Sequence, residues 1–153
     1  MMTQPGLFDE DERRVSAYHE AGHAVMALQL GVGVQQVALE PPVTTLRPPM
    51  RSINPHSRGA IALAASWATR HLLGLDEPLG TSDGAMLDAA IADIMSRFPG
   101  EGAAAYAAQC AVQVSMQLSL KHVRDVAERL LQARGPLGWK DLPRRNTTPY
   151  TAW

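Results

Sequence analysis

The sequence predicts a mainly helical, small α+β domain, and three observations carry that reading. The chain has 153 residues, the size of one domain with a real core. Four stretches place apolar residues at helical spacing between recognisable stops. Only one run, Val34 to Glu40, alternates as a strand does, with Val37 and Leu39 set against Gln36, Ala38 and Glu40.

The first helix is expected from about Asp9 to Leu30. Asp9 and Asp11 offer caps, acidic residues crowd its first turn, and Gly31 stops it. Val15, Tyr18, Gly22, Val25 and Met26 form its inward stripe. The strand follows, and Pro41-Pro42 closes it, giving a short strand or hairpin behind the first helix. Residues 43–57, with Pro48, Pro49 and Pro55 among Arg47, Arg51, Ser52 and Ser57, read as a loop. An alanine-rich helix from about Gly59 to Leu73 comes next, its small side chains permitting close approach to neighbours, and Gly74 stops it.

Gly74 to Ser82 is a loop by composition. A helix from about Asp83 to Phe98 then carries Leu87, Ile91, Ile94 and Phe98 on one face, and Pro99-Gly100 ends it. Residues 101–134 are helical again, as two segments or one bent rod, with the clearest stripe at Val123, Val126, Leu130 and Leu131, and Gly135-Pro136 terminates them. Trp139 and Leu142 dock as a last turn. The expected organisation is a flexible N-terminus over 1–8, a folded domain over 9–142 and a loose tail over 143–153.

Composition narrows the function classes. Hydrophobic residues at 46%, charged residues at 19% and a formal net charge of -1 describe a globular chain without the basic footprint that nucleic acid requires. Cys110 is the single cysteine, so neither an internal disulfide nor a cysteine-rich zinc module is available, and a buried inert thiol is expected. No signal-peptide pattern opens the sequence, and its most apolar stretch, Ala60 to Leu73, is interrupted by Ser66, Thr69, Arg70 and His71. A cytoplasmic protein with no membrane partner is expected.

One stretch carries chemistry. His19-Glu20-Ala21-Gly22-His23 sets two imidazoles four residues apart with a carboxylate directly after the first. On a helix, positions i and i+4 share a face, so His19 and His23 can reach one metal ion. Glu20 lies about 100° round the helix and can address a water on that ion. Neutral imidazole suits Zn²⁺, which turns a bound water into a nucleophile once a carboxylate takes its proton. The stretch therefore reads as the centre of a zinc peptidase.

Such a centre needs a third protein ligand. An extended metzincin motif would require Gly at position 26 and His at position 29, where this chain has Met26 and Gln29. His56, His71 and His122 have no neighbours that complete a metal set, and they read as surface or boundary residues. Asp83, at the start of a later helix, is a carboxylate that could fold back onto the first helix, although by itself it reads rather as a helix cap.

Several of these stretches resemble the peptidase domain of the FtsH-type ATP-dependent zinc proteases. Ala17 to Val25 is almost identical to that family's metal helix, Val34 to Glu40 is similar to its following strand, and Gly59 to Leu73 to its alanine-rich helix. Gly80-Thr81-Ser82-Asp83 resembles its Gly-Ala-Ser-Asn-Asp turn with one residue missing. The resemblance implies a zincin-like fold, Zn²⁺ held by His19, His23 and Asp83, and Glu20 as general base. Asp88, preceded by Gly84-Ala85, is the competing third ligand, but choosing it moves the apolar stripe of that helix off the family's face. A Gly-x-x-x-x-Gly-Lys-Ser/Thr ATPase motif is missing from these residues. The implied activity is therefore ATP-independent cleavage of unfolded or short peptides, alone or with a separate ATPase or delivery partner. The alternative is a zinc-binding adaptor that has lost catalysis.

Overall fold

The computed structural model describes residues 10–47, 49, 52–76, 79–100, 102–133 and 135–145. The expected flexible residues 1–8, the cap at Asp9 and most of the expected tail, from 146 onward, lie outside the described residues. The molecule is mainly helical with a small three-stranded antiparallel sheet. Helix α1 spans Glu10–Gln29, followed by β1 (Gly33–Leu39), β2 (Pro42–Arg47), α2 (Pro55–Leu73), α3 (Thr81–Arg97), α4 (Ala103–Gln117) and α5 (Leu120–Gln132). A two-residue strand β3 (Leu137–Gly138) and a 3-10 turn (Trp139–Asp141) complete it.

The innermost element is α1. From Ala17 to Leu28 all but one of its residues are buried, the exception being the half-buried His19. The helix packs on α2, α5 and the sheet, so Tyr18, Val25 and Met26 meet Ile61, Val37, Val123, Val126 and Leu130 in one core. Gly22 lets α1 and α2 touch along their backbones, because a Cβ there would lie 2.9 Å from both the Ala64 carbonyl oxygen and the Ala65 Cα. The alanines of α2 make the same approach possible from the other side. Gly31, at φ 81°, takes the left-handed conformation that ends α1 as expected, and Gly74, at φ 69°, does the same for α2. At the far end of α1 the Gln29 side chain ties down the corner between α4 and α5, accepting from the Ser119 amide at 2.7 Å and donating to the Gln117 carbonyl.

Two corrections concern the stretch read as loop. Residues Pro42–Arg47 form β2, paired antiparallel with β1 through a turn at Glu40 and Pro41, with Gln35 as the extra residue of a bulge. Helix α2 begins four residues earlier than expected, at Pro55 rather than Gly59. Asn54 caps it by accepting from the Ser57 amide at 2.9 Å, and Pro55 sits where a missing N–H costs nothing. The helical region over 101–134 resolves into two helices, α4 and α5, with Ser119 capping the second. Phe98 leaves the expected stripe of α3 and is exposed. Cys110 is buried with Ala90, Ile94 and Tyr106 in a smaller cluster under α2. Among the described residues no helix is long and apolar enough to cross a membrane.

Candidate metal centre

The first helix delivers both histidines of its motif to one cleft, as the four-residue spacing requires, with their rings edge to face at 4.9 Å. The first turn of α3 brings Asp83 against them. Its Oδ2 lies 2.9 Å from His19 Nε2 and its Oδ1 3.1 Å from His23 Nε2. His19, His23 and Asp83 are the one group of three such side chains among the described residues whose donor atoms all lie within 4.8 Å of one another. Asp88, the competing ligand, is exposed one and a half turns further along α3 and takes no part.

Helix α2 supplies an unforeseen constraint. His23 Nδ1 lies 2.7 Å from the Ile61 carbonyl oxygen. A carbonyl only accepts, so Nδ1 carries the hydrogen and a neutral ring turns the Nε2 lone pair towards Asp83. The carboxylate presents lone pairs in return. Two acceptors at that separation need a cation between them, either a proton on the imidazole or a metal ion. Burial alone would lower the pKa of His23, but the adjacent Asp83 carboxylate outweighs it and the net shift is upward. Burial likewise pushes Asp83 up, and the two imidazoles overcome it and hold its carboxyl well below the usual carboxylate range.

The donor set fits a small divalent ion. Asp83 Oδ2 is buried and, despite its 2.9 Å approach to His19, lacks a hydrogen bond of acceptable alignment among the described residues. Ligands about 2.0–2.1 Å from a tetrahedral Zn²⁺ are roughly 3.3 Å apart. The observed separations of 2.9 and 3.1 Å need to open by only a few tenths of an ångström. Access is one-sided, since the His19 side chain is 29% exposed while those of His23 and Asp83 are each 8% exposed.

Glu20 completes the cleft, a cavity of about 280 Å³ walled by α1, β2 and the start of α3. Its carboxylate is buried and held from β2: the Thr44 hydroxyl lies 3.2 Å from Glu20 Oε1 and 3.0 Å from the Glu20 carbonyl oxygen. Pro42 and Val43 of β2 and Met86 of α3 also line it. Thr44 lies in a segment whose flanking prolines read as loop, although Val43-Thr44-Thr45 is a β-branched run that favours a strand. The strand read from Val34 to Glu40 is the central one of the sheet. The order is β2-β1-β3, and β2 is the edge strand that borders the centre.

The remaining histidines stay outside, as expected. His71 is exposed and stacks on Trp67 at 4.2 Å, His122 is exposed, and His56 lies beside Tyr106. A scan against protein-family models, a search of curated proteins and a search of solved structures each found no significant match to this chain.

Proposed function

We propose that this chain is a zinc-dependent endopeptidase with a zincin-like, FtsH-type peptidase architecture, in which His19, His23 and Asp83 hold Zn²⁺ and Glu20 is the general base. The observation that supports this most is the convergence of two imidazole nitrogens and a carboxylate on one point of a cleft whose wall carries a second, separately anchored carboxylate. When bound, Zn²⁺ supplies Lewis acidity and brings the pKa of a water down to about 7. Glu20 accepts a proton from the attacking water and returns it to the departing amine. Thr44 fixes the carboxylate that does this. Asp83 and the Ile61 carbonyl orient the two rings.

The substrate class follows from β2. Among the described residues its only strand partner is β1, so its outer edge lies open beside the cleft. An unfolded or short peptide can add there through main-chain hydrogen bonds, whereas a folded protein does not release its backbone. The test is metal content together with hydrolysis of an unstructured peptide panel. Wild type is expected to carry about one zinc per chain and to cleave. Glu20→Gln is expected to keep the metal and the melting temperature while losing roughly 10²–10⁴-fold in rate. Zinc-loaded wild type and Glu20→Gln that are equally inert on unstructured peptides would replace the enzyme by the adaptor.

A further inference from the structure

A second cleft, of about 650 Å³, lies away from the metal centre, between the start of β1 and the segment that follows β3. Two independent features distinguish it. The first is charge. Arg47, Lys140, Arg144 and Arg145 line it, no carboxylate does, and among the described residues none of the four is in an ion pair. The chain as a whole carries a net charge of -1, so four cations in one cleft without an ion pair among the described residues are a local excess that an anionic partner would satisfy.

The second feature is an open strand edge. On one side β1 pairs with β2 from Gly33 to Leu39, but on the other β3 meets it only at Gln36 and Val37. Among the described residues Gly33 and Val34, which line the cleft, therefore have a strand partner on the β2 side only, and the bulged Gln35 beside them has none. Main-chain donors and acceptors on such an edge accept another extended chain. The opposite wall is fixed: Leu142 is buried, Arg129 donates to the Asp141 carbonyl at 2.9 Å, and the Gly138 amide donates to Asp141 Oδ2 at 3.1 Å. On this wall Trp139 is 66% exposed, with the Lys140 ammonium 5.5 Å from its ring centroid. Leu28 and Val34 add apolar floor.

We propose that this cleft docks an extended acidic peptide bearing an apolar or aromatic residue among its carboxylates. The peptide continues the sheet where β3 stops, antiparallel to β1, its carboxylates meet the arginines, and its apolar side chain covers Trp139. An oligonucleotide would satisfy the charge but not the strand edge, because a phosphodiester has no N–H and C=O to pair with the main chain of Gly33 and Val34. The proposal does not rest on the metal or on catalysis.

Fluorescence anisotropy of a short labelled Asp/Glu-rich peptide with a central Phe, titrated with the whole chain after metal removal, tests it. Binding is expected to weaken as NaCl rises. Arg47→Glu and Arg145→Glu should each weaken it about tenfold, and Trp139→Ala by a similar factor. Lys121→Glu, an exposed reversal on α5 outside the cleft, should leave it unchanged, and all four variants should melt with wild type. A peptide N-methylated at alternate residues should lose binding, since it cannot pair with the edge. The proposal is overturned if the Arg47 and Arg145 reversals bind like wild type, if the Asn/Gln analogue binds as well as the acidic peptide, if the N-methylated peptide is unaffected, or if oligo-dT or anionic lipid vesicles outcompete the peptide.

Discussion

Replacing Gly22 by alanine sets two effects of known size against each other. A helix interior favours alanine over glycine by roughly 0.8–1 kcal/mol. Against this, the new Cβ would stand 2.9 Å from the Ala64 carbonyl oxygen, 2.9 Å from the Ala65 Cα and 3.1 Å from the Ala68 Cβ. Two of those atoms belong to the backbone of α2 and cannot rotate away, so the helices must part by about half an ångström or more to restore ordinary contact. Overpacking of this kind costs about 1–3 kcal/mol, and the upper half applies where both sides are helical backbone. The net expectation is a loss of about 1–2 kcal/mol. For a chain of this length that is a fall of roughly 2–8 °C in melting temperature.

The same movement stretches the 2.7 Å contact between His23 and the Ile61 carbonyl, one residue along the interface. Losing such a ring-orienting bond typically costs 10–100-fold in metal affinity. Thermal denaturation of the metal-free protein and a zinc competition titration read the two effects separately. A rise in melting temperature of the size set by helix propensity, with zinc affinity unchanged, would refute the packing argument.

Two further outcomes follow from other parts of the molecule. Asp83→Ala should weaken zinc binding by at least 100-fold, because a centre of three ligands loses one, whereas Asp88→Ala, on an exposed position of α3, should change it less than twofold; elemental analysis after dialysis separates them, and the reverse order would move the centre along the helix. Burial pushes the Cys110 thiol up, with the Tyr106 hydroxyl offsetting part of the shift, so the folded thiol stays protonated where the unfolded one, at about 8.5, ionises. The stability this contributes is present below that pH and is lost as pH rises through the folded value. Native protein at pH 9 should accordingly react with a disulfide reagent far more slowly than protein in denaturant, and equal rates would show that the cluster around Tyr106 is open.

How much was legible in the residues differed by the range of the forces involved. The shared face of His19 and His23, the stops at Gly31 and Gly74 and the buried state of Cys110 depend on local spacing and composition, and they read directly. The strand Pro42–Arg47 was hidden by its flanking prolines, even though a proline can open a strand, as Pro42 does here. The start of α2 carried a readable signal, an asparagine before a proline, that the loop-like composition around it outweighed. Asp83 depended on resemblance, because a carboxylate in a first helical turn is usually a cap, and only tertiary packing turns this one towards His19 and His23. No sequence pattern could show the Ile61 carbonyl as a partner of His23, since every residue has a carbonyl and its use is decided by which helix lies opposite. The two-residue β3 is too short to leave any period at all.

The centre is assembled from elements of unequal permanence. Its histidines belong to the most deeply buried helix, which opens only when the core does. Asp83 stands in the first turn of α3, where the cap position is Gly80 and no side chain closes the end of the helix. Helix ends fray far more often than cores unfold. If the three residues hold an ion as proposed, its residence time would be set by that uncapped turn, and the ion would leave on the side Asp83 opens while both imidazoles stay in place. Exchange would then be clocked separately from unfolding, so a protein slow to denature could still be quick to lose and regain a bound ion.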